Sequence, residues 1–190
     1  MSQKANPCEH VMLLHVNDAD HIEAAIGYIN DALKKGQLAV YGSVHLDDES
    51  HTCRLSSRIS DYEKNIDTGN LLVLNLRKFY EFALTGNFEP FEDLRAIIEE
   101  IVRERIGSGR NGEVVLIGDI AGNLSRNSEF DECMVEERWW DNTFHKWIDN
   151  GLKITIICMY ASSILARNAL SPVELELSKL HSLTLSAPTR

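Results

Sequence analysis

The sequence predicts an α/β fold, a three-layer sandwich in which a mainly parallel sheet of about five or more strands lies between layers of helices. Three observations predict it. Short continuous apolar runs recur along the chain, as in strands covered on both faces. Stretches with helical spacing separate them, and turn residues, chiefly Gly, Asn and Asp, mark the changeovers. With 190 residues, 44% hydrophobic and 25% charged, the chain can bury a core without disulfide or metal staples. One domain is expected over residues 1–190, with its core over about residues 10–185, because no repeat, low-complexity segment or Gly-, Ser- or Pro-rich linker divides the chain.

Taken in order, Val11, Met12, Leu13 and Leu14 form the first run. Asp18 is the expected N-cap of a helix with apolar residues at Ile22, Ala25, Ile26, Ile29, Ala32 and Leu33, stopped by Lys34, Lys35 and Gly36. Residues 38–44 read as the second strand, and a strand–helix–strand unit defaults to parallel pairing with a right-handed crossover. Residues 50–64 are polar, with Leu55, Ile59 and Tyr62 at helical spacing, and a turn at residues 67–70 leads into a third strand at 71–76. Phe79, Tyr80, Phe82, Ala83 and Leu84 predict a short helix ended by Gly86. Pro90 opens a stronger one carrying Leu94, Ile97, Ile98, Ile101, Val102 and Ile106 on one face, closed by Gly107 and Gly109. Residues 114–117 read as the fourth strand. Ser128 is expected to cap a long helix with Phe130, Met134, Trp140, Phe144 and Trp147, and residues 154–160 form the fifth strand. Residues 171–181 predict a further amphipathic helix and residues 183–185 an edge strand.

The formal net charge of -10 disfavours a nucleic-acid partner, whose affinity rests on clustered Lys and Arg. The dense basic spots, Lys34-Lys35 and residues 103–110, fall where helix C-termini are expected, and cations are stabilised there. Residues 1–7 lack the apolar stretch of a secretory signal. The longest apolar run, residues 154–161 with Thr155 inside it, is too short for a bilayer, which takes roughly 20 residues. A cytosolic protein with no membrane partner is expected, its Cys8, Cys53, Cys133 and Cys158 kept as thiols.

Ligands of such sheets bind outside the carboxyl ends of the strands, where His15, Asp119 and Tyr160 are expected to lie. The fourth strand ends Val-Val-Leu-Ile-Gly-Asp at residues 114–119, like the second nucleotide motif of P-loop ATPases. The first motif, Gly-x-x-x-x-Gly-Lys-Ser/Thr, is absent, and the first turn, residues 15–20, offers acids where phosphates would sit. Nucleotide binding in that mode is not expected. His10 and Cys158 are the pair to watch, since strands one and five can be neighbours with both side chains facing one pocket. Their bland roles are a His bonded to backbone and a buried Cys acting as a small hydrophobe. Cys8-Glu9-His10 and His51-Thr52-Cys53 invite a zinc reading, but residues two apart in sequence lack the spacing of structural zinc ligands, so no metal is expected. Asp131, Glu132, Glu136 and Glu137 read as a solvated face. Asp141, beside Trp140, is the better site candidate, while Trp139, Trp140 and Trp147 read as packing residues. No Gly-x-Ser-x-Gly elbow, His-Glu-x-x-His motif or activated Cys suggests catalysis.

From about His10 to His181 the chain resembles the MEDS family, the sensory domain of methanogen proteins and dichloromethane-responsive regulators. The residues that carry the likeness are His10 through Asp18, then Thr85-Gly86-Asn87-Phe88-Glu89-Pro90 against the family's Asp-Gly-x-Phe-x-Pro. Further on they are Gly118-Asp119-Ile120-Ala121-Gly122 against Gly-Glu-Met-x-Trp, Trp140-Asp141 against Tyr-Glu, and Ile157-Cys158-Met159-Tyr160 against Leu-Cys-x-Tyr. His15 stands for a Tyr, Asp119 for a Glu, and Gly122 for a Trp, a change expected to enlarge or re-aim the pocket. The resemblance implies a RecA- or KaiC-like fold without a P-loop. It also implies a non-enzymatic sensory domain without a cofactor, with His10, His15, Asp119, Asp141, Cys158 and Tyr160 as ligand-binding candidates. As only nine residues follow His181, signalling to a separate protein or output domain is expected, with a homo-oligomer as the second partner. The alternatives are a Cys- and His-dependent enzyme or redox protein, and an assembly subunit derived from an ATPase fold.

Overall fold

The structure, a computed structural model, describes residues 8–163 and 172–187. Residues 1–7, and the expected helix start at Ser171, lie outside them. In chain order the elements are β1 (His10–His15), α1 (Asp18–Lys34), β2 (Leu38–Ser43), α2 (Glu49–Arg58), α3 (Tyr62–Asp67), β3 (Leu71–Asn75) and α4 (Arg77–Leu84). They continue with α5 (Glu89–Gly107), β4 (Val114–Gly118), α6 (Ile120–Arg126), α7 (Phe130–Asp149), β5 (Ile154–Ala161), α8 (Pro172–Leu180) and β6 (Leu183–Ser186). The six strands form one sheet in the order β3-β2-β4-β5-β1-β6, every neighbouring pair parallel. This is the three-layer α/β sandwich that the apolar runs predict, and β1 and β5 are neighbours, with Met12 opposite Cys158.

Because strand side chains alternate between faces, each apolar run feeds two cores. Val11 and Leu13, with Ala39, Tyr41, Ile117, Ile157 and Met159, pack under α1 and α2 through Ile22, Ala25, Ile29 and Leu55. Met12, Val40, Leu116, Ile156, Cys158 and Tyr160 pack on the other face under α4 to α8, through Phe91, Ile98, Leu124, Trp147 and Leu177 among others. Such double burial explains why β2 and β5 are buried at every position.

The expected elements are present, with shifts at their ends. Asn17, not Asp18, is the N-cap of α1, its side chain accepting from the Asp20 backbone N–H. Residues 50–64 are not one helix: Asp61, at φ 49°, turns the chain between α2 and α3. Helix α6 lies in a stretch too short to show a helical period. Ser128 has φ 67° and closes the last turn of α6, donating its backbone N–H to the Ser125 carbonyl, so it does not cap α7. In α5, Ile97 and Ile106 are exposed, while Phe91, Ile98, Val102 and Arg105 are buried. The buried stripe is narrower than the run of Ile residues, and Arg105 joins it because its guanidinium donates to the carbonyls of Gly36, Gly69 and Asn111 and to the Asn70 side chain. Among the described residues no helix is long and apolar enough to cross a membrane.

Candidate functional site

Helix α7 lies over β5 and β1 and presents Cys133, Glu136, Glu137, Trp140 and Phe144 inward at three- and four-residue intervals. The reading of Glu136 and Glu137 as part of a solvated face is therefore corrected. Both are within 2% of complete burial. Apolar periodicity missed them because the inward stripe is continued by carboxylates in place of aliphatic residues.

Glu137 is the centre of a buried polar group. His10, the first residue of β1, sends its Nδ1–H to the Leu180 carbonyl at 2.9 Å, and His181, after α8, sends its own to the Leu177 carbonyl at 2.7 Å. A carbonyl only accepts, so each ring carries a proton on Nδ1 and turns its Nε2 toward the cluster. The two rings lie 4.3 Å apart. His10 Nε2 is 3.5 Å from Cys158 Sγ and 3.6 Å from Glu137 Oε2, and His181 Nε2 is 3.3 Å from the same oxygen. Tyr160 donates its hydroxyl to the other oxygen, Glu137 Oε1. Asp141, one turn further along α7 and a quarter exposed, brings Oδ1 to 3.8 Å from His10 Nδ1. One ligating atom from each of His10, Glu137, Cys158 and His181 lies within 4.8 Å of all the others, and all four residues are buried.

Burial dominates the electrostatics. It holds the His10 imidazole below its usual 6.5 despite the pull of Glu137, favouring the neutral ring. Burial, reinforced by Glu137 and Glu136, pushes the Cys158 thiol well above its ordinary range, and burial pushes the Tyr160 hydroxyl up as well. A Cys–His nucleophile needs the opposite shift; burial here favours the neutral Cys158 thiol. Glu136 is also raised well above 4.5 by burial and then by Glu137, which favours its neutral carboxyl form.

Four of the six sequence candidates, His10, Asp141, Cys158 and Tyr160, thus come together beneath α7. His15 and Asp119 do not join them: His15 stands on the opposite side of β1 from His10, and Asp119 lies past the end of β4, before α6. Asp119 accepts from the Ser43 hydroxyl at 2.6 Å and the Val44 backbone N–H at 3.0 Å, fastening the end of β2 to that of β4. His15 bonds the Asn17 carbonyl and stacks on His21, with ring centroids 4.9 Å apart. Sequence reasoning missed Glu137 and His181. The signal for Glu137 was its four-residue spacing from both Cys133 and Asp141, on one face of a helix.

Beside this group an apolar cleft opens at the carboxyl halves of β2, β3, β4 and β5. Its walls include Val40, Leu74, Leu116, Ile120, Trp140 and Ile156. Glu136 and Cys158 also line it. Glu136 Oε1 accepts the Trp140 indole N–H at 2.6 Å, while Oε2 is buried without a hydrogen-bond partner among the described residues. Gly122, expected to enlarge or re-aim the pocket, is not among the residues lining this cleft. A Cβ at that position would stand 1.9 Å from the Met159 carbonyl oxygen, so the glycine lets α6 rest directly on β5.

Comparison with known proteins gives one family match. The model of the MEDS domain, the MEthanogen/methylotroph, DcmR Sensory domain, matches residues 9–181. No curated protein matches the chain.

Proposed function

The chain belongs to the MEDS family of sensory domains, and on that premise we propose that it is a non-enzymatic cytoplasmic sensor that takes a small, uncharged, mainly apolar molecule into the cleft over β2 to β5. The observation that carries this reading is the cleft itself: aliphatic walls at the carboxyl side of a parallel sheet, with the Glu136 carboxyl as a polar contact. A charged ligand would find no compensating partner among the aliphatic walls, and burying its charge would be costly. A ligand hydroxyl, which can accept as well as donate, would satisfy Glu136 Oε2, which lacks a partner among the described residues.

Signalling follows from what the ligand would touch. Glu136 and Trp140 belong to α7 and Ile120 to the start of α6, so occupancy favours one packing of these helices on the sheet, and a separate protein reads the difference. Thermal unfolding with a series of short-chain alcohols and the matching alkanes tests the reading. A saturable rise in Tm, steeper for the alcohols and lost in Leu116→Trp, which fills the cleft, is the expected result. A flat response across the series would reject it.

A further inference from the structure

We propose that His10 Nε2, Glu137 Oε2, Cys158 Sγ and His181 Nε2 form a four-coordinate site for a divalent first-row transition metal ion, zinc foremost. This goes beyond the sensory reading and does not rest on it.

The distances come first. A tetrahedral ion with bonds of about 2.1 Å sets its ligand atoms about 3.4 Å apart. Three edges of the cluster already measure 3.3, 3.5 and 3.6 Å, and no pair exceeds 4.8 Å. The protonation pattern is equally specific. Both imidazoles have their Nδ1–H fixed by backbone carbonyls, which aims the Nε2 atoms inward, as in the outer shell of metal-bound histidines. Tyr160 occupies Glu137 Oε1 and leaves Oε2 as the ligand atom.

The cluster also poses an electrostatic problem that a cation solves. Glu137 Oε2 and His181 Nε2 are buried, have no hydrogen-bond partner among the described residues, and lie 3.3 Å apart, with His10 Nε2 close by. In a low-dielectric interior such a convergence needs positive charge between the atoms. A divalent ion bound by one thiolate, one carboxylate and two neutral imidazoles gives a centre with no net charge, which suits complete burial. Binding displaces the Cys158 thiol proton to solvent as the sulfur–metal bond forms. Two nitrogens and a sulfur exclude magnesium and calcium, and four protein ligands leave no open position for water activation. The ion would be a clamp, joining β1, α7, β5 and the α8–β6 connection, which carries His181.

The test begins with the full chain purified without chelator, its metal content read by mass spectrometry, followed by cobalt(II) loading of the chelator-treated protein. The expected result is one metal ion per chain and a sulfur-to-cobalt charge-transfer band in the near ultraviolet. That band is lost in Cys158→Ser and kept in Cys53→Ser, whose cysteine is exposed. Glu137→Gln should weaken zinc binding more than about a hundredfold. If the native chain carries no metal and the folded, chelator-treated chain takes up neither zinc nor cobalt, the proposal is overturned. The wild-type result decides this without any variant having to fold, and it is separate from the alcohol-dependent Tm that tests the sensory reading.

Discussion

At the scale of single residues, His21 shows how burial sets a chemical state. It lies in the first turn of α1, 5% exposed, against His15. Burial, with the neighbouring histidines, lowers its pKa to about 3. The unfolded chain binds a proton at about 6.5 that the folded chain refuses until about 3, so this residue adds no penalty above pH 6.5 and a growing one as pH falls toward 3. His21→Leu removes the titrating group. Relative to its own stability at pH 7.5, the variant should lose about 2 kcal/mol less than the wild type at pH 5, at 1.36 kcal/mol per pH unit. Urea midpoints at the two pH values check it, and parallel losses in both proteins would mean that the folded state accepts the proton.

At the scale of elements, the contact of α6 with β5 depends on one missing side chain. The Met159 carbonyl that would meet a Cβ on Gly122 belongs to a central strand and cannot rotate aside. Gly122→Ala should therefore cost about 2–4 kcal/mol in urea unfolding, as α6 lifts from the sheet. A loss under about 0.5 kcal/mol would show that α6 finds another seat without strain. The same scale explains what was legible beforehand. Strands β1 to β5 and the long helices follow from runs and periods that span several residues, and the edge strand β6 falls where Leu183 and Leu185 suggest it. Helix α6 shows no period over its seven residues. The turns at Asp61 and Ser128 adopt positive φ without glycine, so no residue type marked them. The three Trp side chains are packing residues, as expected. Trp140 and Trp147 are buried, and the half-buried Trp139 packs against Phe91 with its indole N–H on Glu92.

For the whole molecule, the proposed metal would act on the sheet's edge. Among the described residues β6 pairs only with β1, and His181 sits two residues before it. Chelation is expected to speed amide hydrogen exchange over β6 (Leu183–Ser186) while leaving the central β4 (Val114–Gly118) unchanged. Equal protection of β6 with and without chelator would mean that strand pairing and Leu185 alone hold the edge. The sequence by itself determined the α/β class, the parallel sheet and its double core, because strand and helix periods are local; it offered His10 and Cys158 as a pair only if β1 and β5 were neighbours, which the strand order then supplied. Only the tertiary structure decided that Glu137 and His181 complete that pair, and that His15 and Asp119 belong elsewhere. Those four positions come from separate elements, and which residues meet depends on the strand order, the face each strand turns inward and the rotation of α7 about its axis, none of which a local pattern encodes.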